Sequence, residues 1–318
     1  MASNLGLGCA AQGNLFRPRN EDDALAVFEA AWDAGVRQFD TAPHYGLGLS
    51  EQRLGRFLAT KPRDEFVVST KVGRLLRSNP AWDGASPDDQ GFAVPARLRR
   101  EWDVSVGGVR ASLDESLHRL GLDRVDVLYL HDPEVSGIDS AVRTGMASLA
   151  QLRDEGLVRR IGVGSMVPHT LVAAVQTGLA DVLMVAGRYT LLDQSVAPEV
   201  LEACSQHGTR IVAAALFNSG LLADTPQVGA MFDYGAVPAV VLDRARAIAA
   251  VCSTHGVALP TAALHFPLLD PRVEGVVVGA DSAEQIRQSR SWIEESVPSE
   301  LWDDLDRQGL VPRRSTQI

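Results

Sequence analysis

The amino-acid sequence predicts a (β/α)8 barrel of the TIM-barrel class, formed by residues 1–318 as a single domain. Three observations predict it. Short β-branched runs alternate eight times with longer amphipathic stretches, and strands each followed by a helix belong in a parallel sheet covered on both faces. The 318 residues exceed the roughly 250 of such a barrel, and the surplus fits two long loops, after the third and seventh strands, plus an extra C-terminal helix. No GxGxxG opens the first helix after a strand, which weakens a doubly wound dinucleotide-binding sheet as the rival. GLGLS at 46–50 is a superficial match that precedes the second helix and lacks the third glycine.

The elements follow in order. Leu5–Cys9 is the first strand. Glu21–Ala34 carries Ala24, Val27, Phe28, Ala31 and Trp32 at helical spacing, with Asn20 to cap it and Gly35 to end it. Val36–Asp40 is strand two, Ser50–Leu58 the next helix and Phe66–Thr70 strand three. Lys71–Asp103 has no clear period and contains Pro80, Pro87 and Pro95. A connection this long in a compact domain reads as a lid or binding loop, and Trp82, Phe92 and Trp102 argue against a disordered insertion. Regularity resumes with a helix at Val104–Leu120, strand four at Val125–Leu130, a helix at Ser140–Glu155 and strand five at Arg160–Val163. Then come helix Pro168–Thr177, strand six at Val182–Val185, helix Val196–His207 and strand seven at Arg210–Ala214. Leu216–Val237 is the second long loop, and Val240–His255 and Pro260–Leu269 are helical. Val273–Val278 is strand eight, Ser282–Trp292 its helix and Pro298–Gln308 the terminal helix.

Composition narrows the function. With 46% apolar and 22% charged residues, a chain of this length builds its core without disulfides. Cys9, Cys204 and Cys252 are odd in number and form no CxxC, so reduced thiols and a cytoplasmic location are expected. No apolar run is long enough to span a bilayer and no N-terminal stretch resembles a signal peptide, so no membrane partner is expected. A net charge of −10 opposes polyanions, which sets nucleic acid aside. Arg97, Arg99 and Arg100 read as a solvated face. His44 and His131 lack a third ligand at metal spacing, so no metal is expected. No GxSxG elbow supports serine hydrolysis. His118 reads as a structural helix residue. Monomer and homodimer both stay open.

The strand ends carry the chemistry, because in this fold the site is built from the loops at the C-terminal face. Strand two ends on Asp40, with His44 and Tyr45 in the following turn. Strand three ends on Lys71 and strand four on His131, followed by Asp132 and Pro133. A free tyrosine titrates near ~10, too high for efficient proton transfer at neutral pH. The ammonium of Lys71 is expected to lower the Tyr45 pKa, with Asp40 holding Lys71 in place and His131 orienting a substrate oxygen. Each residue alone has a bland reading: a structural ion pair, a surface aromatic, a satisfied core histidine. Their occurrence at three successive strand ends favours a site for proton transfer to or from a carbonyl or hydroxyl oxygen.

These stretches also carry a resemblance. GVRQFDTAPHYGLGLSEQRLGRFL, STKVG at 69–73, SLDESLHRLGLDRVDVLYLHDPE at 112–134 and VVVGADSAEQIRQS at 276–289 resemble, in order, the aldo-keto reductase signature segments. The resemblance implies a (β/α)8 barrel that binds a nicotinamide dinucleotide without a Rossmann domain. It places the four catalytic positions on Asp40, Tyr45, Lys71 and His131. REWDVSVGGVRASLDESL, AGRYTLLDQ and LFNSGLLA are similar to a bacterial group of aldose 1-dehydrogenases and pyridoxal 4-dehydrogenases. That similarity implies oxidation of a cyclic hemiacetal, an L-fucose-like aldose or pyridoxal, to a lactone. The alternatives are an NAD(P)H-dependent carbonyl reductase and a non-catalytic barrel that holds the cofactor. His44, Trp82 and Trp102 are expected beside the substrate, with Tyr45 and His131, and Phe92 joins the two tryptophans as an aromatic suited to stacking on a pyridine or a sugar face.

For the cofactor the resemblance implies Asp40, Ser165, Phe217, Asn218, Ser219 and Gly220, and at the adenosine end Gly279, Ala280, Asp281, Gln285 and Gln288. The chain departs from the family pattern at three places: GVGSM where Ser-Asn is common, Ala186-Gly187-Arg188 where a Gln is common, and Ala214 where an aromatic often stacks. Asp281 would repel a 2′-phosphate and tolerate a ribose hydroxyl, so NAD is expected over NADP, with Arg287 as the competing cation.

Overall fold

The computed structural model describes residues 4–138, 140–196, 198–233 and 235–312. The first three and last six residues of the expected domain, and Ala197 of an expected helix, lie outside the described residues. In chain order the first half has β1 (Leu5–Gly8), α1 (Glu21–Asp33), β2 (Gln38–Asp40), α2 (Leu49–Leu58), β3 (Val67–Val72), β4 (Arg74–Ser78), β5 (Leu98–Trp102), α3 (Val106–Leu120), β6 (Val125–His131) and α4 (Ala141–Asp154). The second half has β7 (Val158–Ser165), α5 (Pro168–Gln176), β8 (Val182–Ala186), α6 (Glu199–His207), β9 (Arg210–Ala214), β10 (Met231–Phe232), β11 (Gly235–Ala236), α7 (Ala239–Thr254), α8 (Leu259–Leu268), β12 (Val273–Gly279), α9 (Ala283–Glu294) and α10 (Ser299–Arg307).

Eight of these strands close into a parallel barrel in the order β1, β12, β9, β8, β7, β6, β3, β2. Local chemistry supports the helices between them. Asn20, Ser105 and Ser282 cap α1, α3 and α9 by accepting the amide protons of Asp23, Gly108 and Gln285, each such cap being worth about 1 kcal/mol.

Period-two alternation sorts the strand residues between two cores. Val127 and Tyr129 of β6 point inward with Val182, Met184, Val212, Ala214 and Val277. Leu128 and Leu130 point outward into the larger core beneath the helices. The same alternation turns Asp40, Ser69 and Lys71 into the barrel while Phe39, Val68 and Val72 join the outer core. A third cluster, with Leu222, Leu242, Phe266, Leu301 and Trp302, packs the loop after β9 and α7, α8 and α10 together.

Two expectations change. Lys71–Asp103, read as a loop without period, contains an antiparallel hairpin that pairs Arg74 with Trp102 and Ser78 with Leu98. RLLRS and LRREW hid it, because arginines stand at positions where strand alternation would normally show apolar residues. The loop between its strands is tied back: Leu15 bridges Phe92, Pro87 bridges Pro95, and Leu76, Phe92 and Val94 bury against Leu47. The helix expected from Val196 starts at Glu199. Among the described residues no single helix is long and apolar enough to cross a membrane.

Candidate active site

Strand register builds the site. Asp40 pairs with Ser69 across β2 and β3, and Lys71 pairs with Tyr129 across β3 and β6. His131 is two residues further along β6 on the same inward face as Tyr129. The three strand ends therefore open on one side of the mouth. Tyr45 reaches them from the turn after β2. That turn is fixed by Gly46, whose φ of 63° suits glycine and whose missing side chain lets the Gly13 carbonyl approach closely. The amide of Tyr45 donates to Ala42 O at 3.0 Å and its carbonyl accepts from Ser50 N at 3.2 Å.

The four expected catalytic residues meet. Lys71 Nζ donates to Asp40 Oδ2 at 2.5 Å, to Thr41 O at 3.0 Å and to Tyr45 Oη at 3.0 Å. Ser69 Oγ donates to the other Asp40 oxygen at 2.7 Å. Lys71 is 2% exposed and Asp40 4%. The His131 ring stands edge-on to Tyr45, with centroids 5.8 Å apart. His44 joins them, its ring centroid 5.4 Å from that of His131 and 6.1 Å from that of Tyr45.

The electrostatics correct one expectation. The pKa of Tyr45 is not lowered but raised, to about 12. Burial is the largest cause, and the carboxylates of Asp40 and Asp132 add to it against the opposing pull of the Lys71 ammonium. Burial works against the charge on Lys71, but Asp40 and Tyr45 outweigh it and hold its pKa above the ordinary value. His131 lies well below the usual histidine range through burial, reinforced by Arg74 and Lys71. Burial, Arg74 and Arg100 push His44 down to about 2. Both imidazoles are therefore neutral at physiological pH, each with one N–H to donate. The phenol and the ammonium are the proton carriers of the cluster.

The hairpin brings Arg74, which sequence reasoning did not assign, together with the loop aromatic Phe92. Arg74 donates to Asp132 Oδ2 at 2.6 Å and lies 3.3 Å from His44 Nδ1. Phe92 packs on His44 at 5.3 Å and on Tyr45 at 6.0 Å. Position just past the Lys71 strand end was the available signal for Arg74. For Phe92 the signal was its place among the three aromatics of the loop. Trp102 lies beside Arg74, 4.9 Å from its guanidinium, and so borders the mouth. Trp82 does not join it. The hairpin carries it to the far end, where its N–H donates to Ser86 O at 2.9 Å and Arg97 covers its ring. The arginine run divides as well. Arg97 and Arg99 are exposed, whereas Arg100 is not part of a solvated face: it turns inward, bidentate to Asp88 at 2.6 and 2.8 Å and bonded to His44 O at 2.9 Å.

Across the mouth the expected cofactor residues are spread over separate strand ends. Ser165 is buried, donates to Glu134 Oε1 at 2.6 Å and accepts from Val167 N at 2.9 Å. Asn218 accepts from Thr190 Oγ1 at 2.7 Å and donates to Gly187 O at 3.1 Å. Ala215, Asn218, Ser219 and Gly220 all have left-handed backbones beyond β9, with Phe217 half-buried among them. Gly279 is exposed at the tip of β12, and the Ala280 carbonyl accepts from Gln12 Nε2 at 3.0 Å. Asp281 is paired with Arg19 at 2.8 Å and Arg17 at 3.2 Å, and its amide donates to Gln285 Oε1 at 2.6 Å. The Asp281 charge is therefore largely offset within the protein, which removes most of the repulsion expected to favour NAD. Gln288 is bonded to Glu284 on the surface of α9. Arg287 is also exposed and lies 3.9 Å from Glu284. Among the described residues no cluster of three His, Cys, Asp or Glu could hold a metal ion.

Comparisons with known proteins bear on the family and the fold. Residues 4–308 match the model of the Aldo/keto reductase family. The chain is 53% identical over 310 residues to a D-threo-aldose 1-dehydrogenase of Pseudomonas sp., covering 97% of this chain and 94% of that protein. It is 38% identical over 325 residues to a pyridoxal 4-dehydrogenase of Microbacterium luteolum, covering 96% and 94%. In fold it is similar to an aldo-keto reductase from Bacillus halodurans, with a TM-score of 0.75 at 23% identity over 97% of this chain and 92% of that one. A barrel of this closure, matched over nearly its whole length, is an oxidoreductase and belongs to the aldo/keto reductase family.

Proposed function

We propose that the protein, as one catalytic barrel domain, oxidises a cyclic hemiacetal to a lactone by hydride transfer to a nicotinamide dinucleotide. The substrate classes are an aldose such as L-fucose, and pyridoxal. The observation that carries the reading is Lys71 Nζ held between Asp40 Oδ2 and Tyr45 Oη, with His131 edge-on beside them. The named activities of the two dehydrogenases above support the oxidising direction.

The chain's own groups divide the work. Tyr45 Oη takes the hydroxyl proton of the hemiacetal as the C–O bond becomes the lactone C=O. Lys71 stabilises the phenolate that accepts this proton, at a hydrogen-bond distance of 3.0 Å. Asp40 and Ser69 hold Lys71 so that its charge stays aimed at Tyr45. Neutral His131 donates to the substrate oxygen and orients it. With Tyr45 near 12 the phenol form dominates at neutral pH, so oxidation gains from alkaline conditions.

Bound nicotinamide supplies the hydride acceptor at this mouth. The residues present fit such a group. Gln12 Oε1 and Glu134 Oε2 are buried polar atoms without partners among the described residues, lying next to the Ala280 and Ser165 positions where the dinucleotide is expected. The exposed backbone of Ser219 and Gly220 beyond β9 lies on the same barrel face, where a dinucleotide diphosphate is expected. NAD is the preferred cofactor in this reading because Asp281 keeps Arg17 and Arg19 occupied and so withholds them from a 2′-phosphate, with NADP the alternative. Three free, buried and separated cysteines support a cytoplasmic enzyme.

A substrate panel tests the proposal: NADH formation, followed by absorbance, with L-fucose, D-arabinose, other aldoses and pyridoxal, with NAD and NADP in parallel. Turnover of at least one hemiacetal, with a larger kcat/KM for NAD, is expected. Tight cofactor binding with no turnover of any of them contradicts the reading.

A further inference from the structure

We propose that Arg74 and Asp132 form a polyol grip that selects a hydroxylated sugar ring over a bare cyclic hemiacetal. The inference rests on the dehydrogenase reading and adds which part of the substrate is recognised. Arg74 opens β4 three residues beyond Lys71 and is 8% exposed. Its Nη2 donates to Asp132 Oδ2 at 2.6 Å, and Nη1 lies 3.3 Å from His44 Nδ1. Its guanidinium stacks 4.9 Å from the Trp102 ring. Its Nε is buried and has no partner among the described residues. Asp132 follows His131 in the chain, and its Oδ2 lies 3.4 Å from His131 Nε2. Both contacts use that one oxygen, and Oδ1 accepts no hydrogen bond from a described residue.

Such a pair is poorly explained by stability. Burying an arginine and a carboxylate together gains little over apolar packing, and an N–H left without an acceptor costs more. Asp132 also has φ of 42°, a left-handed conformation that non-glycine residues adopt at a cost and that recurs at functional sites. Burial, opposed by Arg74 and reinforced by Glu134, raises the Asp132 pKa to about 6, so its carboxylate is ionised at neutral pH.

Ligand chemistry explains what stability does not. A sugar diol offers donors and acceptors together. The guanidinium supplies N–H donors in a plane and the carboxylate supplies acceptors, so adjacent hydroxyls satisfy both. An unsubstituted ring would desolvate the pair and give Asp132 Oδ1 and the remaining guanidinium N–H groups no new partner, and sites of that kind reject such ligands strongly.

The test compares kcat/KM with NAD for D-arabinose and for 2-hydroxytetrahydropyran, a cyclic hemiacetal with no further hydroxyls. The proteins are the parent, Arg74→Lys, Arg74→Met and Asp132→Asn. Arg74→Lys keeps the charge and the ion pair, so a variant that folds is available even if Arg74→Met is unstable, and NADH fluorescence titration reports folding independently of turnover. The parent is expected to prefer the sugar by roughly 100-fold or more, and each variant to cut that ratio by roughly tenfold, mainly through KM for the sugar. A ratio unchanged in the variants overturns the inference and leaves the pair as an anchor for the hairpin. NADH formation with the bare ring alone also overturns it. Silence with both rings and with pyridoxal overturns the dehydrogenase reading and the grip together.

Discussion

At the ends of β2, β3 and β6 the polar side chains share partners, whereas at the ends of β7, β9 and β12 each is tied down separately. On the first side one ammonium links Asp40, Thr41 and Tyr45, and Ser69 takes the remaining Asp40 oxygen. On the second side Ser165 is bonded to Glu134, Asn218 to Thr190 and Gly187, and Asp281 to two arginines. The difference is one of task. Proton transfer needs a few side chains at fixed short distances, so residue type and register define it. Holding a long ligand uses backbone turns and scattered groups, and the side chains there first satisfy the protein itself.

Breaking the shared side should give the largest effect. Tyr45→Phe removes the transferable proton and leaves the ring, so kcat is expected to fall by about 10³-fold or more while the NADH dissociation constant stays within about twofold. A kcat within tenfold of the parent would remove Tyr45 from the chemistry. Lys71→Met comes next. It strips the positive partner from the phenolate and leaves Asp40 buried without its counter-charge, costing about 3–5 kcal/mol of stability. The oxidation rate is expected to fall by about 10²-fold or more and to level off at a higher pH, because the Lys71 ammonium holds the phenol pKa down against burial. A pH profile with an unmoved limb contradicts this.

Perturbing the second side should cost less and change selectivity instead. Asp281→Asn frees Arg17 and Arg19 from their carboxylate. A gain of about tenfold in kcat/KM for NADP, with NAD nearly unchanged, is expected from two released guanidinium groups. Equal changes with both cofactors would show that this corner does not read the 2′-position.

The last effect is on stability rather than turnover. The carboxyl of Asp132 has a folded-state pKa of about 6, above the roughly 3.9 of an unfolded aspartate. Between those values the folded protein holds the proton more tightly than the unfolded chain, so stability falls as pH rises from about 4 to about 6. Chemical denaturation across this range should show the parent losing about 2 kcal/mol relative to Asp132→Asn. A pH-independent difference contradicts the assignment.

The same contrast explains what was legible in the sequence. Alternating strands and helices are visible as local pattern, and Asp40, Lys71 and His131 stand where strands end, so the barrel and its reactive corner could be read from residue order. The hairpin at 74–78 and 98–102 could not, because its arginines mask the period and its pairing joins segments twenty residues apart. Arg100 shows the cost. A run of three arginines reads as solvated face, yet strand alternation turns one inward onto Asp88 and His44. Local pattern also led the Tyr45 pKa in the wrong direction: the neighbouring ammonium is evident from the sequence, but the burial that outweighs it is a property of the closed barrel.

The central claim is hydride transfer from a hemiacetal carbon to nicotinamide, and one measurement addresses it directly. The enzyme is incubated with NAD and an aldose deuterated at C1, and the reduced nicotinamide and the sugar product are analysed by mass spectrometry. The account predicts one deuterium in each reduced nicotinamide and one lactone per cofactor reduced. Reduced nicotinamide without deuterium, or no lactone, would contradict it.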